Sequence, residues 1–129
     1  MQQSVSVVMP IRNEERHLRA AVERVLGQGY EGDLEILLAV APSTDRTREI
    51  ADELAAADPR IRVLDNPVGF TPAGLNVAIR AAHHPVIVRV DGHGELSPHY
   101  ISTAVRILEE TGAANVGGLM DAQGTTALS

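Results

Sequence analysis

The feature that most constrains the fold is a regular alternation of short apolar runs with longer segments whose apolar residues recur at helical spacing. The runs that are typical of buried strands cover residues 5–9, 34–40, 61–64 and 86–90. A helical pattern follows each run, at lengths typical of β-α-β units. The sequence therefore predicts an α/β fold, with a mostly parallel sheet and helices on both faces.

Turn and cap residues predict where these elements begin and end. Pro10 should close the first strand because proline has no N–H to donate to a sheet. Asn13 is expected to cap the first helix. Thr71 should cap the third helix, with Pro72 at its first position. The inward-facing residues of that third helix are predicted to be Leu75, Ala78, Ile79 and Ala82.

The end of the chain is less regular. Residues 114–120 are predicted to form a fifth strand, whereas residues 121–129 show no pattern. We therefore expect one domain over residues 1–120, followed by an unpatterned tail over residues 121–129.

Composition excludes several classes of function. The chain has 129 residues and a net charge of −6, and all 11 basic residues are arginine, which argues against a nucleic-acid binder. It has no cysteine, so disulfides and thiolate metal sites are absent. Because there is neither a signal-peptide pattern nor an apolar run near the roughly 20 residues that span a bilayer, a cytoplasmic location is expected.

Candidate site residues cluster in the loops that follow the strands. Crossovers between parallel strands are right-handed, so the carboxyl ends of the strands share one edge, where ligands bind. The loops expected at this edge cover residues 10–13, 41–43, 66–69 and 91–93.

Asp91 and His93 follow the fourth strand with a glycine between them. Residues i and i+2 at a strand end project to the same side, so a carboxylate and an imidazole can meet one metal ion. On spacing alone, an ordinary polar turn explains the same residues equally well.

Polar residues in the other loops have simpler interpretations beside the functional one. Asn13 and Glu14 suit the start of a helix, whereas Arg12 is free to meet a phosphate or a base. Ser43 and Asp45 are ordinary helix-start residues, although a helix start at this edge is also an anion site. Asn76 is a poor helix former in mid-helix and is another candidate, either for a ligand or for a loop backbone.

Four stretches in series resemble the family 2 glycosyltransferases of the GT-A fold. They are VSVVMPIRNE (5–14), STDRT (43–47), PAGLNVAI (72–79) and VRVDGH (88–93), and the resemblance runs from Val5 to about Gly118. The Asp-x-His form, with Thr71 and Pro72 before Leu75 and Asn76, is most similar to succinoglycan-type exopolysaccharide transferases.

The resemblance implies an inverting transfer from a nucleoside-diphosphate sugar, assisted by Mn²⁺ or Mg²⁺, in polysaccharide or glycolipid biosynthesis. Asp91 would correspond to the first aspartate of the family's DxD motif, and His93 would take the place of the second, as metal ligands. The residues implied in binding the nucleotide sugar are Pro10, Arg12, Glu14, Ala41, Asn76 and Asp91.

The chain departs from the family pattern in three places. Val40 and Ala41 stand where acidic residues are common, and Pro42 replaces a glycine, which puts the recognition of base and ribose in question. A Lys or Arg often found near Thr71 is missing. His93 replaces an aspartate and makes the metal's identity less certain.

The family's acceptor site and its general base lie well beyond the DxD motif, and no residue here matches that base. We therefore expect this chain to be the donor-binding half of a longer enzyme, inactive alone, with the base beyond residue 129. The sugar or lipid-linked acceptor would bind through the other half. A sheet edge left uncovered also predicts self-association.

Two other functions stay open. A nucleotidyltransferase of similar fold is disfavoured, because the loop after the first strand has no glycine-rich, basic sequence to hold a triphosphate. A non-catalytic nucleotide-binding module remains, and turnover of a nucleotide sugar would distinguish it. Dinucleotide and P-loop motifs are absent from the sequence.

Overall fold

The computed structural model describes residues 3–90 and 99–111, in which strands and helices alternate as predicted. The strands are β1 (Val5–Ile11), β2 (Leu34–Val40), β3 (Ile61–Asp65) and β4 (Val86–Arg89). The helices are α1 (Leu18–Leu26), α2 (Thr47–Ala57), α3 (Thr71–Ala81) and α4 (Tyr100–Thr111). Over these two ranges, no helix has both the length and the apolar character that crossing a membrane requires.

The sheet is parallel throughout its described strands and has the order β3-β2-β1-β4. Val5 at the start of β1 pairs with Leu34 of β2 on one side and with Val86 of β4 on the other. β1 and β2 are therefore central, which explains their nearly continuous apolar sequence. The predicted α/β class with a parallel sheet is confirmed.

Helices cover both faces of this sheet, as expected. On one face, alternate residues of β1 pack against buried residues of α1, α2 and α4, for example Val7 against a cluster that includes Val22 and Ile101. On the other face, Val8 and Leu37 pack with Ala78 of α3. Because these strands are parallel, the loops that follow β1, β2 and β3 lie at one edge of the sheet.

The prediction that Pro10 ends the first strand was wrong, since β1 continues to Ile11. The backbone N–H and C=O groups of even-numbered residues of β1 point towards β4, as shown by the N–H of Val90, which donates to Val8 O at 3.0 Å. Those of odd-numbered residues point towards β2, where the N–H of Ala41 donates to Ile11 O at 2.8 Å. The missing N–H of Pro10 therefore falls beyond the last β1–β4 pair, Val8 with Arg89, and costs the sheet no hydrogen bond.

Three further predictions about helix residues were wrong. Asn13 does not cap α1, which begins at Leu18 with His17 at the cap position. Thr71 is the first residue of α3 rather than its cap, which is Phe70. Ile79 of α3 is 48% exposed, because the helix buries only the narrow face that carries Gly74 and Ala78. The predicted fifth strand and the tail lie outside the described residues.

Candidate functional site at the carboxyl edge of the sheet

A cavity of about 380 Å³ opens at the carboxyl edge of the sheet, on the side of α3. Its walls come from the end of β1 and the following loop, the end of β2, the loop between β3 and α3, and β4. The lining residues are Pro10, Ile11, Arg12, Glu14, Ala41, Asn66, Gly69, Phe70, Thr71 and Arg89. This is the edge at which the sequence predicted a ligand site.

The structure brings together four of the residues that the sequence assigned to nucleotide-sugar binding. Pro10, Arg12, Glu14 and Ala41 all line the cavity. Asn76 does not: it is exposed on α3 and is absent from the cavity walls. Its assignment stays a prediction.

The predicted metal ligands Asp91 and His93 lie outside the described residues. Their assignment therefore also stays a prediction. Within residues 3–90 and 99–111, no group of three or more His, Cys, Asp or Glu side chains is placed to hold a metal ion.

Asn13 joins the loop after β1 to the loop after β2. Its backbone N–H donates to Ser43 Oγ at 3.0 Å, and its side-chain oxygen accepts the N–H of Thr44 at 2.8 Å. It adopts φ = +50°, a left-handed conformation that asparagine tolerates better than most residues. Asn13 and Ser43 therefore form hydrogen bonds between the two loops and do not cap helices.

A second reciprocal pair lies two residues further along both loops. Glu15 donates its N–H to Asp45 Oδ2 at 3.2 Å and accepts the N–H of Arg46 on Oε1 at 2.8 Å. Asp45 Oδ1 also accepts the N–H of Thr47 at 2.9 Å, which satisfies a donor at the start of α2 as predicted. Hydrogen bonds from Thr47, chiefly from its hydroxyl, hold the pKa of the Asp45 carboxyl below its usual value.

These bonds form what we call the loop clamp, defined by residues 13–15 and 43–47. In the clamp, residues 13–15 and residues 43–47 supply hydrogen-bond partners to each other. Glu14 belongs to the clamp and lines the cavity, since its N–H donates to Thr47 Oγ1 at 2.8 Å. Arg12 directly precedes the clamp and also lines the cavity.

Asn66 is a site residue that sequence reasoning did not single out. It is 2% exposed, and its side chain donates to Phe70 O at 3.0 Å and accepts the N–H of Gly69 at 3.4 Å. Gly69 has φ = +88°, which few side chains tolerate. The signal in the sequence was an Asn followed three residues later by Gly, a pattern typical of a side-chain-stabilised turn.

Arg89 is the second missed residue. It is half-buried and lines the cavity from β4, on the face of the sheet that carries α3. An arginine in an otherwise apolar strand, two residues before Asp91, was the available signal. The charged residues among those that line the cavity are thus Arg12, Arg89 and Glu14.

A second cavity of about 390 Å³ adjoins the first and shares Ala41 and Asn66 with it. It lies between the loops that follow β2 and β3, beside an ion pair between Arg48 and Asp65. The end of β2 is therefore open on two sides, and small side chains such as Ala41 keep it so.

Comparison with known proteins identifies the family pattern. Residues 6–127 match the model of the family described as "Glycosyl transferase family 2". The chain is 35% identical over 112 residues to the succinoglycan biosynthesis protein ExoA of Rhizobium meliloti, covering 85% of this chain and 34% of ExoA. It is 35% identical over 120 residues to the glycosyltransferase GlyG of Streptococcus pneumoniae, covering 92% of this chain and 39% of GlyG. The chain thus spans little more than a third of either relative.

A solved structure shares the fold. The mannosyltransferase PcManGT from Pyrobaculum calidifontis, in complex with GDP-Man and Mn²⁺, superposes with a TM-score of 0.74 at 24% identity. The match covers 84% of this chain and 33% of PcManGT. The four-stranded parallel sheet described above therefore belongs to the GT-A fold, as the resemblance implied.

Proposed function

The chain belongs to glycosyl transferase family 2, and from that premise we propose that it binds the nucleoside-diphosphate sugar of an inverting glycosyl transfer. The observation that carries the proposal is the cavity at the carboxyl edge of the sheet. It brings together Pro10, Arg12 and Glu14, from the end of β1 and the loop after it, with Ala41, which follows β2. These are residues that the sequence assigned to the donor.

The charges of the cavity suit a diphosphate. Arg12 and Arg89 line it together, and a guanidinium group offers several N–H donors to phosphate oxygens. The first residue of α3, Thr71, also lines it, so the positive end of that helix faces the same space. Glu14 can only accept hydrogen bonds when ionised, which suits hydroxyl groups of ribose or sugar rather than phosphate.

We further propose that Asp91 and His93 hold a divalent metal, Mn²⁺ or Mg²⁺. The described part of β4 leads to Val90, whose N–H donates to Val8 O at 3.0 Å, and Asp91 is the next residue in the sequence. A carboxylate with an imidazole is a donor set that suits Mn²⁺ better than Mg²⁺. When bound, the metal would neutralise charge on the leaving diphosphate.

The wider assignment is biosynthesis of a polysaccharide or glycolipid, with a sugar or lipid-linked acceptor. Similarity to ExoA and GlyG supports it. The described residues provide no general base at the cavity other than Glu14, which the loop clamp positions among the donor-binding residues. We therefore assign to this chain the donor-binding step and not the whole transfer.

The test is isothermal titration calorimetry of the chain with UDP, GDP and their sugars, each with Mn²⁺ and with EDTA. We expect one nucleotide to bind in the presence of metal, with binding lost in EDTA and in Asp91→Ala. Asp33→Ala, which removes an exposed carboxylate at the opposite, amino end of β2, serves as the matched control. Binding that is equally strong in EDTA and in Asp91→Ala would refute the metal assignment.

Turnover distinguishes the remaining alternatives. Release of the nucleoside diphosphate from a nucleotide sugar, measured as free UDP or GDP, would show a transferase. Binding without release by the full chain would favour a non-catalytic nucleotide-binding module. Release of pyrophosphate from a nucleoside triphosphate and a sugar phosphate would favour a nucleotidyltransferase.

A further inference from the structure

The loop between β3 and α3 presents an aromatic side chain at the cavity. Phe70 is the chain's single phenylalanine, and there is no tryptophan. It is 68% exposed and lines the cavity at the same time. An exposed aromatic ring at a binding cavity is unusual in so aromatic-poor a chain, because burying such a ring is strongly favourable.

The backbone of Phe70 is firmly held. Its carbonyl oxygen accepts the side-chain N–H of Asn66 at 3.0 Å and the backbone N–H of Gly74 at 3.0 Å. Asn66 is in turn bound to the sheet, since its own N–H donates to Val40 O at 3.0 Å. The ring is therefore carried by a backbone that is attached to both β2 and α3, so little backbone entropy is lost when a ligand contacts it.

Three of the residues that line the cavity together with Phe70 offer few groups for hydrogen bonding. Ala41 contributes a methyl group, and its N–H is already donated to Ile11 O at 2.8 Å. Pro10 has no N–H, and the Asn66 amide is engaged on both its oxygen and its nitrogen. A flat heterocycle in this part of the cavity would meet apolar and aromatic surface instead of a set of donors and acceptors.

We propose that Phe70 stacks on the nucleobase of the donor nucleotide and is a residue on which the affinity for the nucleoside depends. The inference rests on the proposed function and deepens it. Stacking uses the π-face that every base has, so Phe70 contributes to whichever nucleotide binds. The diphosphate then binds to the charged residues Arg12 and Arg89.

The experiment compares nucleotides with a probe that has no base. UDP, GDP and inorganic pyrophosphate are titrated in Mg²⁺ against the full chain, Phe70→Ala and Phe70→Trp. Val68→Ala is the matched control, since Val68 is 62% exposed in the same loop but does not line the cavity. Phe70→Trp introduces the chain's single tryptophan, so its fluorescence reports directly on stacking.

We expect Phe70→Ala to weaken nucleotide binding roughly tenfold, while pyrophosphate binding stays unchanged. Val68→Ala should bind as the parent chain does. In Phe70→Trp, the nucleotide should bind at least as tightly as in the parent and quench the emission, whereas pyrophosphate should not.

Two results would overturn the inference in different ways. Nucleotide binding that is unchanged in Phe70→Ala, or an equal loss for pyrophosphate, overturns the stacking role and leaves the proposed function intact. Failure of the folded parent chain to bind any nucleoside diphosphate overturns the proposed function and the stacking role with it.

Discussion

Glu14 and Thr47 are 33 residues apart in the sequence, and the N–H of Glu14 donates to the hydroxyl oxygen of Thr47 at 2.8 Å. Thr47 is fully buried at the start of α2, and its hydroxyl also donates to Asp45. One side chain thus serves both loops of the clamp. The position of Glu14 at the cavity depends on it.

Replacement of Thr47 by valine tests this role. Valine keeps the shape but removes the hydroxyl, which leaves the N–H of Glu14 without an acceptor in a part-buried place. We expect the free energy of unfolding to fall by about 1–3 kcal/mol, measured by urea denaturation. Thr47→Ser retains the hydroxyl and should lose clearly less. Equal losses in the two variants would show that the hydroxyl contributes no more to stability than the methyl group, which would contradict this role.

Asn13 offers a test of backbone conformation in the clamp. Alanine and glycine both remove the oxygen that accepts from Thr44, but only glycine tolerates φ = +50° without strain. We expect Asn13→Ala to be less stable than Asn13→Gly by about 1 kcal/mol in thermal or urea unfolding. Asn13→Asp should stay near the parent, since it keeps both the acceptor and the turn preference. If Asn13→Ala is the more stable of the first pair, the left-handed conformation is not retained in solution.

Gly74 is expected to resist a change that usually stabilises helices. A methyl group there would lie 2.9 Å from Asn66 Nδ2, which is buried and bonded to Phe70 O. Gly74→Ala should therefore destabilise by about 1–2 kcal/mol, although alanine gains about 1 kcal/mol in an open helix. In an Asn66→Ala background the same change should be neutral or stabilising. Equal effects in both backgrounds would contradict the predicted clash.

The carboxylate of Glu35 should make the free energy of unfolding depend on pH. It is buried near the amino end of β2, where Ser6 Oγ and the N–H of His83 each donate to its Oε2 at 2.6 Å. Burial alone would raise the pKa of Glu35, but these hydrogen bonds and the nearby His83 ring outweigh it and lower the pKa to about 2. The ionised carboxylate is therefore stabilised in the folded state.

Because the folded pKa lies below the ordinary value of 4.5, this contribution is complete above pH 4.5 and is lost as the pH falls towards 2. Glu35→Gln should reduce the free energy of unfolding at pH 7 by roughly 3 kcal/mol at most. The difference between parent and variant should shrink as the pH falls from 4.5 towards 2. A difference that stays constant over that range would contradict the lowered pKa.

Much of the fold was predictable from sequence because apolar runs and helical spacing are local signals. β2 matches its predicted bounds, and α2 begins two residues after Asp45, which was predicted to be a helix-start residue. The cap assignments failed at Asn13 and Thr71, since the same residue types also serve turns and contacts between loops. Spacing cannot tell which partner a side chain has when that partner lies 30 residues away.

The residues of the candidate site, like those of the fold, were predictable from the sequence only in part. Pro10, Arg12, Glu14 and Ala41 were assigned because of the resemblance to family 2 glycosyltransferases, and all four line the cavity at the carboxyl edge of the sheet. Asn66 and Phe70 were missed, since their roles come from how the turn before α3 folds against β2 and not from a recognisable motif. Glu35 interrupts an apolar strand in the sequence, and its partners Ser6, Arg62 and His83, which explain how it is tolerated, are apparent only in the structure.

The central claim is that the donor nucleotide binds in the cavity at the carboxyl edge, and one affinity measurement tests it most directly. We would measure the affinity of the full chain for UDP and GDP by calorimetry, in the parent, in Arg12→Ala and in Arg16→Ala. Both variants lose one exposed arginine of the same loop, so they change the net charge equally, but only Arg12 lines the cavity. We expect Arg12→Ala to bind the nucleotide roughly tenfold more weakly, because one charge-assisted contact is lost. Arg16→Ala should bind it as the parent does. Equal affinities in the two variants, or no binding by the folded parent, would contradict the central claim.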